Sequence, residues 1–286
     1  MRISPYEGTQ MQPQNDWSEI LIQCKENVKK RIRPHLKTLN EPQPNLGKGA
    51  GGDLMKPVDL AAEKAIVEVL QQSGTSFTLI SEESGVKEFG KKPAQRYVTV
   101  DPIDGTTNLV RGLPVYATSI AISTKPSLSK VFAALVTDLA HDTTYTALEG
   151  RGAFRDGEKI APSTCASLDN AVVGLDMNSY KIKEIAPQLT DLIQKTTHIR
   201  HFGANALEIC YVADGTTEAF IDIRGKLRTT DLAAAFLIVK EAGATITTPT
   251  GDTLDVKLDP TQKIKFIASG NAQLHKTILG LVKPSC

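Results

Sequence analysis

The sequence predicts an α+β protein in which a mostly antiparallel sheet is followed by alternating strands and helices. Five apolar or alternating runs follow one another between residues 77 and 148, as neighbouring strands do. Two stretches with helical periodicity precede them. From about residue 156 the pattern changes to strand and helix in alternation. These observations predict an α+β half packed against an α/β half.

Two helices are predicted to begin the N-terminal half, residues 16–155. Residues 1–15 are polar, and we expect them to form a flexible tail. Asp16 begins a variant of the capping box, and the helix after it has an apolar residue at every fourth position. The second helix is expected near Asp59, after a glycine-rich loop at 47–52. The strands predicted next are 77–81, 97–101, 117–123, 131–137 and 143–148.

The C-terminal half, residues 156–286, is predicted to alternate strands with helices. Its strands are expected at 171–175, 198–202, 218–223, 244–247 and 264–269. Its helices are expected at 204–213, 231–242 and 272–282. We find no internal repeat and no low-complexity segment.

Composition argues against several classes of protein. The 286 residues carry a formal net charge of +1 with dispersed basic residues, so we expect neither a nucleic-acid partner nor a membrane partner. The apolar runs are too short to span a bilayer. The four scattered cysteines lack the CxxC spacing of a zinc site, which favours a reducing compartment, and we expect a cytoplasmic protein.

The most informative segment of the chain is 101–106, with the sequence Asp-Pro-Ile-Asp-Gly-Thr. The apolar run before it predicts that a buried strand ends at Asp101. Pro102 should force a turn that brings Asp104 back beside Asp101. The amides that follow can face an anion if a short helix begins there. Two carboxylates beside free amides suit divalent ions held against a phosphate, although an isolated Asp-x-x-Asp more often only ends a strand and begins a turn.

Three motifs together resemble the inositol monophosphatase and fructose-bisphosphatase superfamily of metal-dependent phosphatases. The first is segment 101–108 with Glu82 upstream, the second is Gly203 with the helix after it, and the third runs from Asp231 to the Glu-Ala-Gly at 241–243. The resemblance covers everything after the first fifteen residues. It refines the predicted fold to a layered αβαβα sandwich with the active-site cleft between the halves, and it implies a homodimer.

The resemblance implies a metal centre built from oxygen donors. Its expected ligands are the carboxylates of Glu82, Asp101, Asp104 and Asp231 and the backbone carbonyl of Ile103. Asp101 is expected to bridge two ions. Because hard oxygen donors suit Mg²⁺ and suit zinc poorly, we expect two or three Mg²⁺ ions.

The resemblance also implies catalytic and substrate-binding residues. Asp59, Glu82 and Thr106 are expected to hold and orient the attacking water. The expected substrate-binding residues are Asp104, Gly105, Thr106, Arg200, Gly203, Ala204, Asn205 and Arg224. Asp59 is also explained as a helix cap, and the two roles are compatible. Glu83 is expected to face away from Glu82, because adjacent strand residues point to opposite sides. Lys48 matches a lysine of the family's mobile loop.

Arg224 bears on the expected substrate. Strict inositol monophosphatases carry at this position a glutamate that contacts sugar hydroxyls. An arginine there, with Arg200 nearby, resembles the archaeal-type members that also hydrolyse fructose 1,6-bisphosphate, because a guanidinium binds a second phosphate bidentately. The basic cluster around Arg224, which consists of Arg200, Arg224, Lys226 and Arg228, is equally typical of a solvated face. Many members have Trp before the aspartate at 231, where this chain has Thr230.

The sequence therefore predicts a Mg²⁺-dependent phosphomonoesterase that hydrolyses inositol 1-phosphate and fructose 1,6-bisphosphate by direct attack of water. The nearer alternative is a phosphatase for another small substrate, such as a 3′-phosphoadenosine nucleotide. The more distant alternative is a regulatory binding protein of the same fold. Such a binder would be expected to lose a metal carboxylate, and none of the four is missing here.

Overall fold

Helices form the first, third and fifth layers of the protein. The structure is a computed structural model that describes residues 16–39, 44–91, 93–94 and 96–282. The tail predicted at residues 1–15 lies outside the described residues. The helices are α1 (Trp17–Leu36), α2 (Pro57–Gln72), α3 (Thr106–Arg111), α4 (Ile182–Lys195), α5 (Asn205–Ala213), α6 (Thr229–Ala242) and α7 (Ala272–Leu281). No helix among the described residues has the length and apolarity needed to cross a membrane.

An eight-stranded sheet forms the second layer. Its strands are β1 (Phe77–Ser81), β2 (Gly85–Phe89), β3 (Arg96–Asp104), β4 (Ala117–Ser123), β5 (Val131–Asp138), β6 (Thr144–Leu148), β7 (Gly152–Arg155) and β8 (Glu158–Lys159). They lie in the order β2-β1-β3-β4-β5-β6-β7-β8. The pair β1 and β3 is parallel, and every other neighbouring pair is antiparallel. The sheet is thus mostly antiparallel, as predicted.

A five-stranded sheet forms the fourth layer. Its strands are β9 (Val172–Leu175), β10 (His198–Arg200), β11 (Ala219–Asp222), β12 (Thr245–Thr247) and β13 (Phe266–Ser269). They lie in the order β10-β9-β11-β13-β12. Strand β9 pairs in parallel with β10 and β11, whereas β13 is antiparallel to β11 and β12.

Three apolar cores join the five layers. Helices α1 and α2 cover the outer face of the first sheet. Helices α5 and α6 lie between the two sheets, and α6 is buried from Thr229 to Val239, as expected of a helix that is enclosed on both sides. Helices α4 and α7 cover the outer face of the second sheet. This order confirms the predicted αβαβα sandwich.

The strand that carries the acidic motif is longer than predicted. Strand β3 continues through Pro102, and its register shifts between Asp101, which lies opposite Ser119, and Asp104, which lies opposite Ala117. Three steps along β3 therefore oppose two steps along β4, which is a β-bulge. A proline is tolerated at a bulge because no ladder donor is required there. The predicted turn at Pro102 was wrong, and a bulged strand separates the two aspartates instead.

Several elements were missed or misplaced by sequence patterns. Helix α4 was not predicted, because Pro187 lies inside it and Lys181, which precedes it, offers no side-chain cap. The edge strand β2 is polar and largely exposed, so it lacks the apolar run of a buried strand. The strand predicted at 198–202 ends at Arg200. The first sheet extends to Lys159, a few residues into the predicted C-terminal half.

Candidate active site

Three of the predicted metal ligands meet near the carboxyl ends of the neighbouring parallel strands β1 and β3. Glu82 follows β1, Asp101 lies in β3, and Asp231 lies in the first turn of α6. Each offers one carboxylate oxygen, and these three oxygens lie within 4.8 Å of one another. They line a cavity of about 530 Å³. A buried group of hard oxygen donors at this spacing fits a divalent cation.

Asp104 and Ile103 line the same cavity. Oδ2 of Asp104 accepts a hydrogen bond of 2.6 Å from the backbone N–H of Ala206, at the start of α5. The carbonyl of Ile103 accepts a hydrogen bond of 2.8 Å from the Thr106 hydroxyl. Asp104 is not part of the group of three whose oxygens lie within 4.8 Å. Metal ligation by Asp104 and Ile103 therefore stays a prediction.

The buried carboxylates raise one another's pKa values. Burial, followed by repulsion from neighbouring carboxylates, raises the pKa of Asp101 well above its ordinary value. The same two causes, in the same order, raise the pKa of Glu82 and of Asp104. A bound cation would remove the repulsion and favour the ionised forms. The charge of the site, like its geometry, thus fits a metal ion.

Two side chains at the start of α6 contact these carboxylates. Nη2 of Arg228 lies 2.5 Å from Oε1 of Glu82. The hydroxyl of Thr230, which stands where many family members have Trp, is buried and donates a 3.1 Å hydrogen bond to Oδ1 of Asp231. Thr230 is therefore a hydrogen-bond donor to a predicted metal ligand.

Thr106 and Asp59 form the contact expected for the catalytic pair. The Thr106 hydroxyl lies 3.2 Å from Oδ1 of Asp59. Oδ2 of Asp59 accepts a 3.0 Å hydrogen bond from the N–H of Lys56, which is the N-cap residue of α2. The prediction of Asp59 as the N-cap was wrong, because α2 begins at Pro57 and Asp59 is its third residue, whose side chain reaches back to the N-cap while it contacts Thr106. Burial raises the pKa of Asp59 to about 6. Gly105 has φ +86°, and a Cβ there would meet the carbonyl of Val115 at 3.0 Å, which explains the need for glycine.

Glu83 does not face away from Glu82. Both residues lie in the turn after β1, outside any strand, and both line the cavity. Oε2 of Glu83 is buried and has no hydrogen-bond partner among the described residues. Burial raises the pKa of Glu83 to about 8, and repulsion from Asp59 and Glu63 adds to the effect. The prediction that Glu83 faces away from Glu82 was wrong, because side chains alternate along a strand and these two residues lie in a turn.

A second cavity of about 660 Å³ adjoins the first and contains part of the predicted substrate site. Gly203 and Asn205 line both cavities. Oδ1 of Asn205 is buried and has no hydrogen-bond partner among the described residues, so it is an available acceptor. Ala204 is fully buried beneath them and lines neither cavity. A Cβ on Gly105 would lie 3.1 Å from the Ala204 methyl group.

The two arginines predicted to bind phosphate have different surroundings. Arg200 is exposed on β10, lines neither cavity and donates to the carbonyl of Ile199. Arg224 lines the second cavity, but its side chain is only 4% exposed and is paired with Asp222 at 2.7 Å and with Asp176. Two carboxylates offset its single charge. Arg224 therefore offers a phosphate less net charge than the sequence suggested.

Other cations line the cavities and were missed or passed over in the sequence analysis. Lys56 and Arg111 line the first cavity, and Lys226 and Lys263 line the second. Lys226 belongs to the basic cluster around Arg224, and the other three lie outside the recognised motifs. Lys48 is exposed and lines neither cavity.

Comparison with known proteins identifies the family. Residues 14–285 match the inositol monophosphatase family. The chain belongs to this family. A fructose-1,6-bisphosphatase/inositol-1-monophosphatase of Methanothermobacter thermautotrophicus is 33% identical over 272 residues, which are 92% of this chain and 95% of that protein.

Two further comparisons agree. The crystal structure of an inositol monophosphatase–fructose 1,6-bisphosphatase superposes with a TM-score of 0.81 at 29% identity, covering 93% of this chain and 99% of that one. A bifunctional NADP phosphatase/NAD kinase of Methanococcus maripaludis is 31% identical over 93% of this chain, which spans 49% of that longer protein.

Asp101→Asn should raise the thermal stability of the metal-free protein, because it removes one charge from a buried group of mutually repelling carboxylates. The same change should remove most of the stabilisation that Mg²⁺ gives to the parent protein. Thermal unfolding in EDTA and in excess Mg²⁺ would measure both effects. Asp252→Asn, at an exposed aspartate outside the cavities, is the control. An unchanged response to Mg²⁺ would remove Asp101 from the ligand set.

The metal-free protein should lose stability as the pH rises from about 5 to about 8. Asp59 and Glu83 have ordinary pKa values of 3.8 and 4.5, and folding raises them to about 6 and about 8. Between these values the folded protein holds protons that the unfolded chain has released, so raising the pH favours unfolding. Unfolding temperatures in EDTA across this range would show the decline. Glu83→Gln should flatten it, and a rise in stability with pH would contradict the assignment.

Proposed function

We propose that this protein is a Mg²⁺-dependent phosphomonoesterase that hydrolyses inositol 1-phosphate and fructose 1,6-bisphosphate. The convergence of Glu82, Asp101 and Asp231 beside the Thr106–Asp59 pair carries the proposal. Two or three Mg²⁺ ions would be held by these three carboxylates, with Asp104 and the Ile103 carbonyl as additional ligands. The names of the similar archaeal proteins support the pair of substrates.

The protein's own groups orient the reactants. The Mg²⁺ ions, when bound, supply the positive charge that activates water and stabilises the leaving oxygen. The single proton of the Thr106 hydroxyl has two acceptors, Asp59 and the Ile103 carbonyl, so the hydroxyl oxygen is free to accept a hydrogen bond from the attacking water. The first N–H groups of α3 lack acceptors within their helix, and they are available to the phosphate oxygens.

The second cavity would hold the part of the substrate that is remote from the reacting phosphate. Asn205 supplies a buried acceptor for a hydroxyl group. Lys226 and Lys263 line this cavity and form no ion pair with the described residues, unlike Arg224. We therefore assign the second phosphate of fructose 1,6-bisphosphate mainly to these two lysines, with Arg224 as a hydrogen-bond donor beside them.

A nucleotide phosphatase is the second candidate. Tyr180 lines the second cavity and is 40% exposed. Nζ of Lys181 lies over one face of its ring, 5.6 Å from the centroid, which leaves the other face to stack against a base. A relative that is 31% identical is named as a bifunctional NADP phosphatase/NAD kinase, and this chain spans 49% of its length. Phosphate release from inositol 1-phosphate, fructose 1,6-bisphosphate and NADP, each with Mg²⁺, would separate the candidates. Release from NADP alone would overturn the sugar-phosphate proposal.

We also infer a cytoplasmic homodimer, as the sequence led us to expect. The substrate would be a small phosphorylated molecule, with no nucleic-acid or membrane partner. Sedimentation of the purified protein would measure the oligomeric state.

Thr106→Ala should slow hydrolysis by roughly 10²–10⁴-fold, because the water loses its orienting hydroxyl. The affinity for Mg²⁺ should change little, since the hydroxyl is a hydrogen-bonding group in this assignment. Thr106→Ser keeps the hydroxyl and should retain most of the activity. Single-turnover rates and Mg²⁺ titrations of both variants would test this. Loss of Mg²⁺ binding in the alanine variant would show that Thr106 acts mainly as a ligand.

Lys263→Ala and Lys226→Ala should each raise the KM for fructose 1,6-bisphosphate by roughly tenfold to a hundredfold, the effect of losing one charge-assisted phosphate contact. The KM for inositol 1-phosphate should change much less, because that substrate has no second phosphate. Lys257→Ala, at an exposed lysine outside both cavities, is the control. Equal losses on both substrates would contradict the assignment.

A further inference from the structure

Arg228 joins three separate parts of the active site. Nη2 of its guanidinium lies 2.5 Å from Oε1 of Glu82, and Nε lies 3.7 Å from Oδ1 of Asp231. Nη1 lies 2.8 Å from Oδ2 of Asp53 and donates to the carbonyl of Gly51 at 3.1 Å. The side chain is only 12% exposed. Arg228 thus contacts two predicted metal ligands and the glycine-rich loop at the same time.

The guanidinium of Arg228 contacts the same carboxylates that a metal ion would bind. Among the described residues, it is the only cation that forms an ion pair with Glu82 or Asp231. These two carboxylates and Asp101 are the group whose oxygens lie within 4.8 Å of one another. One positive charge cannot neutralise three carboxylates, and Nε of Arg228 is buried without a hydrogen-bond partner among the described residues. Arg228 therefore compensates the acidic group only in part.

The glycine-rich loop is built to receive this side chain. A Cβ at Gly51 would lie 2.5 Å from Nη1 of Arg228 and 2.9 Å from Cγ of Glu82. A residue larger than glycine would therefore displace the side chains of Arg228 and Glu82. The N–H of Gly51 donates to the Glu82 carbonyl at 2.8 Å, and that of Ala50 donates to the Glu83 carbonyl at 3.0 Å. The loop is thus attached to the turn that carries Glu82 both by its backbone and through Arg228.

We propose that Arg228 is an internal counter-ion that positions Glu82 and the glycine-rich loop before metal binds, and that competes with the metal ions for Glu82. The inference rests on the proposed metal centre. In the metal-free protein the guanidinium reduces repulsion between Glu82 and Asp231 and holds the loop closed. With ions bound, Glu82 would be a metal ligand instead of a partner of Arg228, and Asp53 and the Gly51 carbonyl would remain as partners of the guanidinium.

The proposal makes opposite predictions for stability and for metal affinity. Arg228→Gln should lower the unfolding temperature of the metal-free protein, because the carboxylates lose their counter-ion. The same change should tighten Mg²⁺ binding roughly tenfold to a hundredfold, the range expected when one charge-assisted contact no longer competes. If Arg228 had only a structural role, its substitution would lower stability without tightening the binding of metal. Calorimetric Mg²⁺ titration and thermal unfolding in EDTA would measure the two effects.

A conservative variant separates the charge from the geometry. Arg228→Lys keeps the charge but cannot bridge Glu82, Asp53 and Gly51 with a planar fork. It should restore Mg²⁺ affinity towards that of the parent protein. It should not restore the contacts of residue 228 with Asp53 and Gly51 that hold the glycine-rich loop. Trypsin should therefore cleave after Lys48 faster than in the parent protein when both are metal-free. Cleavage as slow as in the parent protein would refute the positioning role.

Lys263→Ala is the matched control for electrostatics. This lysine lines the second cavity beside Arg228 but forms no ion pair with Glu82 among the described residues. It should change Mg²⁺ affinity far less than Arg228→Gln does. Equal tightening by both variants would indicate a general effect of charge and overturn the role of the contact.

The remaining outcomes distinguish this inference from the proposed function. Unchanged or weaker Mg²⁺ binding in Arg228→Gln, with normal binding by the parent protein, would overturn the competition while leaving the phosphatase proposal intact. No saturable Mg²⁺ binding by the parent protein would overturn the metal centre and this inference together. Because none of these measurements uses a substrate, a wrong substrate assignment would not affect them.

Discussion

Repulsion among carboxylates in a buried cavity is the constraint on which the rest of the structure depends. Glu82, Asp101 and Asp231 come from separate elements, and their oxygens lie within 4.8 Å of one another. Bringing like charges together out of water opposes folding, so the layered core must supply the free energy to hold them there. The hydrogen bond from Thr230 to Asp231 and the contact between Arg228 and Glu82 offset part of the cost. Metal binding at this group would therefore be linked to folding.

The packing of α6 places the third carboxylate. This helix lies between the two sheets, and its side chains are buried from Thr229 to Val239. The alanines at 233–235 are small, which allows the first sheet to approach the helix closely. Because α6 is fixed on both sides, Asp231 in its first turn has a defined position relative to Asp101 on β3. The bulge in β3 then directs Asp101 and Asp104 to different places in the same cavity.

Charge balance divides the cavities into distinct regions. The first cavity is dominated by carboxylates and suits cations. In the second cavity Arg224 is offset by Asp176 and Asp222, whereas Lys226 and Lys263 have no ion-pair partner among the described residues. A basic residue in a sequence therefore does not by itself indicate an anion site, because neighbouring carboxylates can offset its charge. Buried arginines of this kind support the wall of the site and donate hydrogen bonds from it.

The sequence by itself predicted an α+β half packed against an α/β half, because these elements depend on local patterns, and its resemblance to a known family added the layered sandwich and the oxygen ligands of the predicted metal centre. Apolar periodicity marked most helices and strands, and the motif at 101–106 supplied the acidic residues and glycine in order. Only the tertiary structure decided which charges are paired. Arg224 meets Asp176 across 48 positions, and Arg228 meets Gly51 across 177. No local pattern reports such contacts, since they arise when packed layers bring distant segments together. For the same reason the two arginines, similar in the sequence, differ in the structure: one supports the wall of the second cavity, and the other contacts predicted metal ligands.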